Sequence, residues 1–527
     1  MKKQHLSPLV LVILDGWGVG EKNKNINAIE AAKTPFFDKL CKKYPYTSLK
    51  ASGESVGLEE GQMSGSEAGH LNIGAGRIVK QEIRVILEEI NSGSFFYNPA
   101  FLAIANQVKK KGTNLHLMGL MGNSDSPHSH PDVFFALLIF LKQAGLEEKV
   151  FFHLFTDGRD SFPRSAGEHW KNWKKHIDKI GIGELASVCG RFYAMDRIKK
   201  WERLKKAYNA LVEGQGERFS DFGEALESQY KKGLTDEYIE PIVFQKNNKD
   251  LPRIKSGDGV IFFNFRSDRA RQFAKLFVGH QGPDAKFFSD IKRLKDISFV
   301  ALTNFGPDLN LKTAYHSSSV NNTLPVALSG ERQIYIAETE KFAHVTYFIN
   351  GGYPDPLGGE ERIKIDSPEV RSYAEKPGMS SSEITEVVIK NLKADNYVFY
   401  GINFANTDML GHTGDFEATK KGIEIIDKQL KKIFKVVKKQ KGTLIVTSDH
   451  GNADQMLTFD GERVFTFHTK NPVPFILASK DKRFEKIKLK NDGKLANIAP
   501  TILEIMNIKK PKQMLEKSLI IDGKSNH

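Results

Sequence analysis

Short, almost wholly apolar runs alternate along this chain with longer amphipathic ones. The apolar runs are Leu9–Leu14, Leu115–Leu120, Val150–Phe155, Val260–Phe263, Ile297–Leu302, Ile334–Ala337, Tyr397–Phe404 and Leu444–Val446. β-branched and aromatic residues dominate many of them, and polar, turn-forming residues bound them, so they predict buried strands. Segments of helical character lie between them, including Pro131–Gln143, Ala166–Asp178, Trp201–Leu211, Ser382–Leu392 and Phe416–Val437. Strand alternating with helix predicts α/β sheets with mostly parallel strands. Such sheets gather ligands beyond the carboxyl ends of their strands. Asp15 closes the first run, Asp408 follows the run through Phe404, and Asp449-His450 follow Thr443–Ser448.

A chain of 527 residues is too long for one compact core, so two or more domains are expected. Composition is ordinary for a globular protein, with 40% hydrophobic and 27% charged residues. A formal charge of +13 suits anionic partners. The lysine clusters at 109–111 and 438–441 are short and scattered, however, and read as solvated helix faces. With no zinc-finger spacing, aromatic RNA-binding motif or long basic arm, no nucleic-acid partner is expected. Cys41 and Cys189, the two cysteines, argue against a disulfide scaffold or a thiolate metal site and fit a reducing cytoplasm. Met1-Lys2-Lys3 ahead of Leu9–Leu14 imitates a signal peptide. That run is brief, follows Pro8, and ends in Asp15-Gly16 without a small-residue cleavage site, so it reads as a buried strand. No stretch is long and apolar enough to span a membrane, and no membrane partner is expected.

A single aspartate after a strand serves equally as a turn former or helix cap. The set is more informative. Asp15, Asp408 and Asp449 join His412, four residues after Asp408, with His450 and His468. Oxygen and imidazole donors without thiolate suit Mn²⁺, and also Mg²⁺, Co²⁺, Zn²⁺ or Fe²⁺. The six side chains are too many for one tetrahedral ion and natural for a two-metal site. The nucleophile candidate is Ser66, in Gly61-Gln62-Met63-Ser64-Gly65-Ser66-Glu67-Ala68-Gly69-His70. Glycines let backbone approach a phosphate, and a helix start favours an anion. Ser66 could equally cap the following helix. As a nucleophile it needs activation, which metal coordination provides.

A middle region carries arginines in loops: Arg159, Arg191, Arg197, Arg266 and Arg269. Guanidinium forks bind carboxylate and phosphate bidentately, which points to an anionic ligand; ion pairing with Asp157, Asp160, Asp196 and Asp268 is the structural alternative. His128 could contact a substrate hydroxyl or carry a proton. Asp160 could be a general acid or base, a helix cap, or an arginine partner.

These residues fall in motifs that run in order along nearly the whole chain. They include Leu14-Asp15-Gly16-Trp17-Gly18, Ser66 through Arg77, Asp157-Gly158-Arg159-Asp160, Gly190 through Arg197, Asn264-Phe265-Arg266, Ala337-Glu338-Thr339-Glu340-Lys341, Asn403 through Gly414, and Ser448 through Asp454. The sequence thereby resembles the cofactor-independent (2,3-bisphosphoglycerate-independent) phosphoglycerate mutases of the alkaline-phosphatase-like superfamily.

The resemblance implies an α/β alkaline-phosphatase-like metal domain, residues 1–80 and 314–527, with an inserted α/β transferase-like substrate-binding domain, residues 81–313. It implies one divalent ion on Asp408, His412 and His468, and another on Asp15, Asp449, His450 and the Ser66 oxygen. Substrate contacts fall to His128, Arg159, Asp160, Arg191, Arg197, Arg266, Arg269 and Lys341. The implied reaction interconverts 3-phosphoglycerate and 2-phosphoglycerate through a phosphoserine at Ser66, with Asp160 and Lys341 also catalytic. Two divalent ions, Mn²⁺ first among them, are implied as cofactors, with no 2,3-bisphosphoglycerate; a small-molecule substrate, a monomer and a cytoplasmic setting complete the expectation. Water attacking the phosphoserine would turn transfer into hydrolysis, so a closed cleft is expected.

The sequence departs from the family pattern at Met63-Ser64-Gly65-Ser66, where Met-Gly-Asn-Ser is usual, so Ser64 brings a second hydroxyl near Ser66. The segment Gly122–His128 is one residue longer than usual, and Asn304-Phe305-Gly306 is atypical. Rival readings are another phosphatase or phosphomutase of the superfamily, against which the arginine-rich region argues, and a non-catalytic binding protein that kept the fold, against which the intact ligand set argues. The unrelated cofactor-dependent mutases use an Arg-His-Gly motif, which this sequence lacks.

Overall fold

A computed structural model describes residues 7–279, 287, 291–306, 308–315, 320–484 and 487–521. The chain forms two compact units, Met1–Gln81 with Ser319–His527, and Glu82–Ser318.

The first unit is built on a seven-stranded sheet. In spatial order its strands are Glu360–Ile365, Gln333–Glu338, Phe399–Phe404, Leu9–Leu14, Thr443–Thr447, Val473–Ser479 and Tyr46–Leu49. The first five run parallel and the last two pair antiparallel. Leu9–Leu14 lies in the middle, each residue at most 1% exposed. That accounts for its unbroken apolar character, because a parallel strand with both faces covered has no polar side. Burying each such side chain contributes about 1.5–3 kcal/mol.

Register then decides where chemistry can gather. Leu14 sits opposite Phe404, and Ile13 opposite both Asn403 and Thr447. The three strands therefore end level, and their following residues deliver Asp15, Asp408 and Asp449 to one edge. The helix Phe416–Lys439 covers this sheet. Asp415 caps it by accepting from the Ala418 backbone N–H at 2.9 Å, and Gly422, Ile423, Ile426, Leu430, Ile433 and Val437 form its buried stripe.

Helix Ser66–Ala75 is buried almost all round. Two small residues permit that. A Cβ on Gly69 would stand 2.6 Å from the Asp449 carbonyl oxygen, and one on Gly74 would stand 1.8 Å from that of Ile349. The helix is thus pressed against the Asp449 turn, and it ends at Gly76 in the left-handed conformation, φ 62°.

The second unit is built on a nine-stranded sheet. Its parallel part runs Lys312–Tyr315, Ser298–Thr303, Gly259–Phe262, Leu115–Leu120, Val150–Thr156 and Glu184–Gly190. Ile242–Lys246, antiparallel to the last of these, continues it. Helices Pro131–Gln143, Ala166–Ile180, Trp201–Glu213 and Ser267–Val278 belong to this unit. His130 caps the first of them by accepting from the Asp132 N–H at 3.2 Å. The segments directly after Val150–Thr156, Glu184–Gly190 and Gly259–Phe262 carry Asp157–Asp160, Arg191 and Arg266, again at carboxyl ends of strands, although Arg191 opens the short helix Arg191–Ala194 and Arg269 lies in helix Ser267–Val278 rather than in the loops expected for them.

The expected strands and helices form with ends displaced by a residue or two. Several others were not expected. Val473–Ser479 contains Pro474, which reads as a loop signal. Its pairing with the inner strand stops at Phe475 opposite Thr447, so Pro474 faces no ladder acceptor on that side.

Candidate active site

Two clusters of functional side chains stand out, one in each unit.

In the first unit, Asp408, His412 and His468 converge. His412 Nε2 and His468 Nε2 lie 3.2 and 3.4 Å from Asp408 Oδ1, and 3.2 Å from each other. The His412 Nδ1 faces the Thr466 carbonyl oxygen at 2.7 Å, and the His468 Nδ1 faces that of Ser64 at 2.7 Å. A carbonyl can only accept, so each Nδ1 carries the proton and each Nε2 presents a lone pair. Two lone pairs and a carboxylate oxygen meeting in a buried space repel unless a cation lies among them. This donor set fits a metal ion, and the carbonyls orient its ligands.

A second group adjoins it. Ser66 Oγ donates to Asp15 Oδ1 at 3.1 Å and stands 3.0 Å from His450 Nε2. His450 Nε2 lies 3.5 Å from Asp15 Oδ1 and 3.6 Å from Asp449 Oδ2. Ligand atoms of Asp15, Asp449 and His450 all fall within 4.8 Å of one another, as do those of Asp408, His450 and His468. Ser66 is the first residue of its helix, and Gly65 occupies the capping position without a side-chain bond. The Ser66 hydroxyl is therefore turned to the cluster rather than back onto its own helix.

Lys341 spans both groups. Its Nζ donates to Asp15 Oδ1 at 2.6 Å, Asp408 Oδ2 at 2.6 Å and Ser66 Oγ at 2.7 Å. The charges are strongly perturbed. Burial works against the Asp408 carboxylate, but the Lys341 ammonium overcomes it and holds its pKa well below the usual range. Burial and Asp449 push Asp15 up, and Lys341 and His450 bring it net below its ordinary value. Burial opposes charge on His450, yet Asp449, Asp15 and Asp408 raise its pKa to about 9. Burial and the neighbouring His450 lower His468 to about 4. A buried, carboxylate-rich site with a single ammonium among its carboxylates is built to hold further positive charge.

In the second unit, Arg191 is the hub. It is 2% exposed, and its Nη1 donates to Asp157 Oδ1 at 2.6 Å and Asp160 Oδ2 at 2.5 Å. Its Nη2 lies 2.9 Å from His128 Nε2. A guanidinium can only donate, so His128 accepts there. Burial and Arg191 depress the His128 pKa well below its ordinary value and keep it neutral. Arg197 and Arg266 both engage Asp268, at 2.9 and 3.1 Å, and Arg159 reaches Glu237 at 3.4 Å. Arg269 donates to the Met195 carbonyl oxygen at 3.3 Å. Close packing and then Arg197, Arg159 and Arg191 push its pKa well below the guanidinium range. Five guanidinium groups gathered in one unit offer the forked donors that bind carboxylate and phosphate.

Sequence reasoning overlooked several residues. Asn403 donates to Asp15 Oδ2 at 2.7 Å, and Asn452 donates to Asp408 Oδ1 at 3.2 Å. His70 Nδ1 meets the Ser66 carbonyl oxygen at 2.9 Å and Asp449 Oδ2 at 3.2 Å. Each lies inside a quoted motif, but an asparagine in a strand or turn or a histidine within a helix carries no signal of its own.

Residues 7–510 match the metalloenzyme superfamily. The chain is 46% identical over 517 residues to the 2,3-bisphosphoglycerate-independent phosphoglycerate mutase of Clostridium kluyveri, covering 97% of this chain and 99% of that one. It is 44% identical over 518 residues to the enzyme of the same name from Moorella thermoacetica, covering 98% and 99%. Among solved structures, Leishmania mexicana phosphoglycerate mutase at low cobalt concentration matches with a TM-score of 0.90 and 28% identity, over 99% of each chain. The chain belongs to the metalloenzyme superfamily and, within it, to the 2,3-bisphosphoglycerate-independent phosphoglycerate mutases, a family of isomerases.

Proposed function

We propose that this enzyme interconverts 3-phosphoglycerate and 2-phosphoglycerate through a phosphoserine at Ser66. The observation that carries the reading is the Ser66 hydroxyl itself, buried within 3.1 Å of Asp15 Oδ1, His450 Nε2 and Lys341 Nζ. In this reading Met1–Gln81 with Ser319–His527 is the phosphatase-like metal domain, and Glu82–Ser318 is the inserted substrate domain.

Asp408, His412 and His468 would hold one divalent ion, and Asp15, Asp449, His450 and Ser66 the other. Their oxygen and imidazole donors suit Mn²⁺, with Co²⁺, Mg²⁺ and Zn²⁺ as alternatives. Bound cations would supply Lewis-acid stabilisation of phosphoryl oxygens and lower the pKa of the serine hydroxyl. The chain's own groups do the rest. Ser66 Oγ, entering as the alkoxide, bonds to phosphorus as the bond from phosphorus to one glycerate oxygen breaks, and Asp160 gives that oxygen a proton. Lys341 offsets charge on the transferring group. Arg159, Arg191, Arg197, Arg266 and Arg269, with His128, hold the glycerate carboxylate and hydroxyls while it reorients. Its other hydroxyl then yields a proton to Asp160 and attacks phosphorus, releasing Ser66. No diffusible bisphosphate is consumed.

We read the enzyme as a cytoplasmic monomer that needs neither nucleic acid nor membrane. Both cysteines are free, and among the described residues no helix is long and apolar enough to cross a membrane.

The test is an assay of isomerisation and phosphate release together, without 2,3-bisphosphoglycerate. Chelation should abolish isomerisation, and separate addition of Mn²⁺, Co²⁺, Mg²⁺ and Zn²⁺ should restore it with at least one of them. Phosphate release without isomerisation would instead identify a phosphatase.

A further inference from the structure

The helix bearing Ser66 is tied to the sheet edge by two residues that the reaction described above does not use. Asn403 lies in the strand beside Leu9–Leu14, opposite Ile13, and is fully buried. Its Nδ2 donates to Asp15 Oδ2 at 2.7 Å and stands 3.1 Å from His70 Nε2. The carboxylate fixes the direction of the amide, because a flipped Asn403 would set its oxygen against Asp15. With the amide nitrogen toward His70, His70 Nε2 must accept, so the ring proton sits on Nδ1. That N–H lies 2.9 Å from the Ser66 carbonyl oxygen and 3.2 Å from Asp449 Oδ2. Asp449 Oδ2 has no partner of full hydrogen-bond geometry among the described residues, and His70 Nδ1 is the nearer of the two imidazole nitrogens beside it, at 3.2 Å against 3.6 Å for His450 Nε2. His70 is fully buried one turn after Ser66, and Gly69 beside it allows the helix to touch the Asp449 backbone.

We propose that Asn403 and His70 are positioning residues for the Ser66 nucleophile: Asn403 sets the tautomer of His70, whose Nδ1–H holds the Ser66 backbone and the Asp449 carboxylate together. The relay links Asp15, Asn403, His70, Asp449 and Ser66, so the carboxylates on two strand ends and the serine on a helix keep one spacing. It rests on the reading of Ser66 as nucleophile. A bond to a carbonyl four residues back is by itself common in helices. The links to Asp15 and Asp449, far away in sequence, are what a merely local bond would lack.

The relay needs a donor at the Nδ1 position, and this separates two conservative variants. His70→Asn places an amide nitrogen near where Nδ1 stood. His70→Gln reaches the Nε2 position and leaves Nδ1 vacant. Removing an outer partner of this kind lowers activity or metal affinity by roughly 10–100-fold. His70→Gln should therefore lose about that factor in kcat with little change in KM, while His70→Asn keeps most of the wild-type rate. Asn403→Asp, which turns a donor into an acceptor facing Asp15, should behave like His70→Gln.

Two further readouts guard the interpretation. Melting in chelator should leave the Asn and Gln variants alike, which excludes misfolding as the cause of a difference between them. Titration with Mn²⁺ alone should show weaker binding for His70→Gln than for His70→Asn. This second readout needs no substrate, so it judges the relay even if wild-type enzyme fails to isomerise phosphoglycerate and the functional reading falls. Equal kcat and equal Mn²⁺ affinity in the two variants would overturn the proposal.

Discussion

Replacing Lys341 with methionine tests the electrostatic logic of the site. The change keeps the length of the side chain and removes its charge. The lysine ammonium lies 2.6 Å from Asp15 Oδ1 and 2.6 Å from Asp408 Oδ2, and both carboxylates are essentially out of solvent. Breaking a buried ion pair by removing one partner costs about 3–5 kcal/mol, because the other charge stays buried without compensation. At about 2 °C per kcal/mol for a large folding unit, metal-free Lys341→Met should melt roughly 6–10 °C below wild type. Divalent ions neutralise the same carboxylates, so saturating Mn²⁺ should narrow that gap, and the metal-induced rise in melting temperature should be larger in the variant. Activity should not recover with stability. Losing one preorganised group that offsets transition-state charge costs about 10²–10³ in kcat. Scanning calorimetry with and without Mn²⁺, beside the mutase assay, measures both. A melting deficit that is unchanged or deeper with Mn²⁺ would refute the idea that lysine and cations share one burden.

Arg191→Lys should raise phosphate release relative to isomerisation, since a lysine cannot serve Asp157, Asp160 and His128 in fork geometry; an unchanged ratio of inorganic phosphate to 2-phosphoglycerate would contradict the clamp. Acid should destabilise the second unit through a buried chain, Ser187 to His153 to His116 to Asp258, linked at 2.7, 3.0 and 3.3 Å. Burial lowers both histidine pKa values from 6.5, so below pH 6.5 the unfolded chain takes protons that the fold refuses. Stability is then fully present above pH 6.5 and is lost progressively as pH drops below it. His153→Leu should start less stable at pH 7 but lose less between pH 6.5 and 5; parallel melting profiles would contradict this.

Much of the site was legible because it hangs on strand ends. A run such as Leu9–Leu14 announces a buried parallel strand, and an aspartate directly after it is placed by that strand alone. Asp449 follows its strand almost as closely, Asp408 sits in the helix Asn406–Gly411 that follows Phe404, and level registers then bring all three together. Other features depend on contacts that no local pattern encodes. Asn403 meets His70 across 333 positions, and His468 leans on the Ser64 carbonyl across 404. Val473–Ser479 hid behind Pro474, whose missing donor matters only if a neighbour offers an acceptor. Arg159, Arg191 and Arg269 were visible as cations after strands, but only the fold reveals that Arg191 and Arg269 stand at helix starts and that Arg269 is crowded by like charge.

The central claim is that one hydroxyl, on Ser66, carries the phosphoryl group between the two positions of glycerate. The most direct measurement is rapid acid quenching of enzyme turning over 3-phosphoglycerate, followed by mass spectrometry of the peptide containing Ser64 and Ser66. Phosphate on Ser66, absent from Ser66→Ala along with all isomerisation, is the result expected. Phosphate on Ser64, or full turnover by Ser66→Ala, would contradict it.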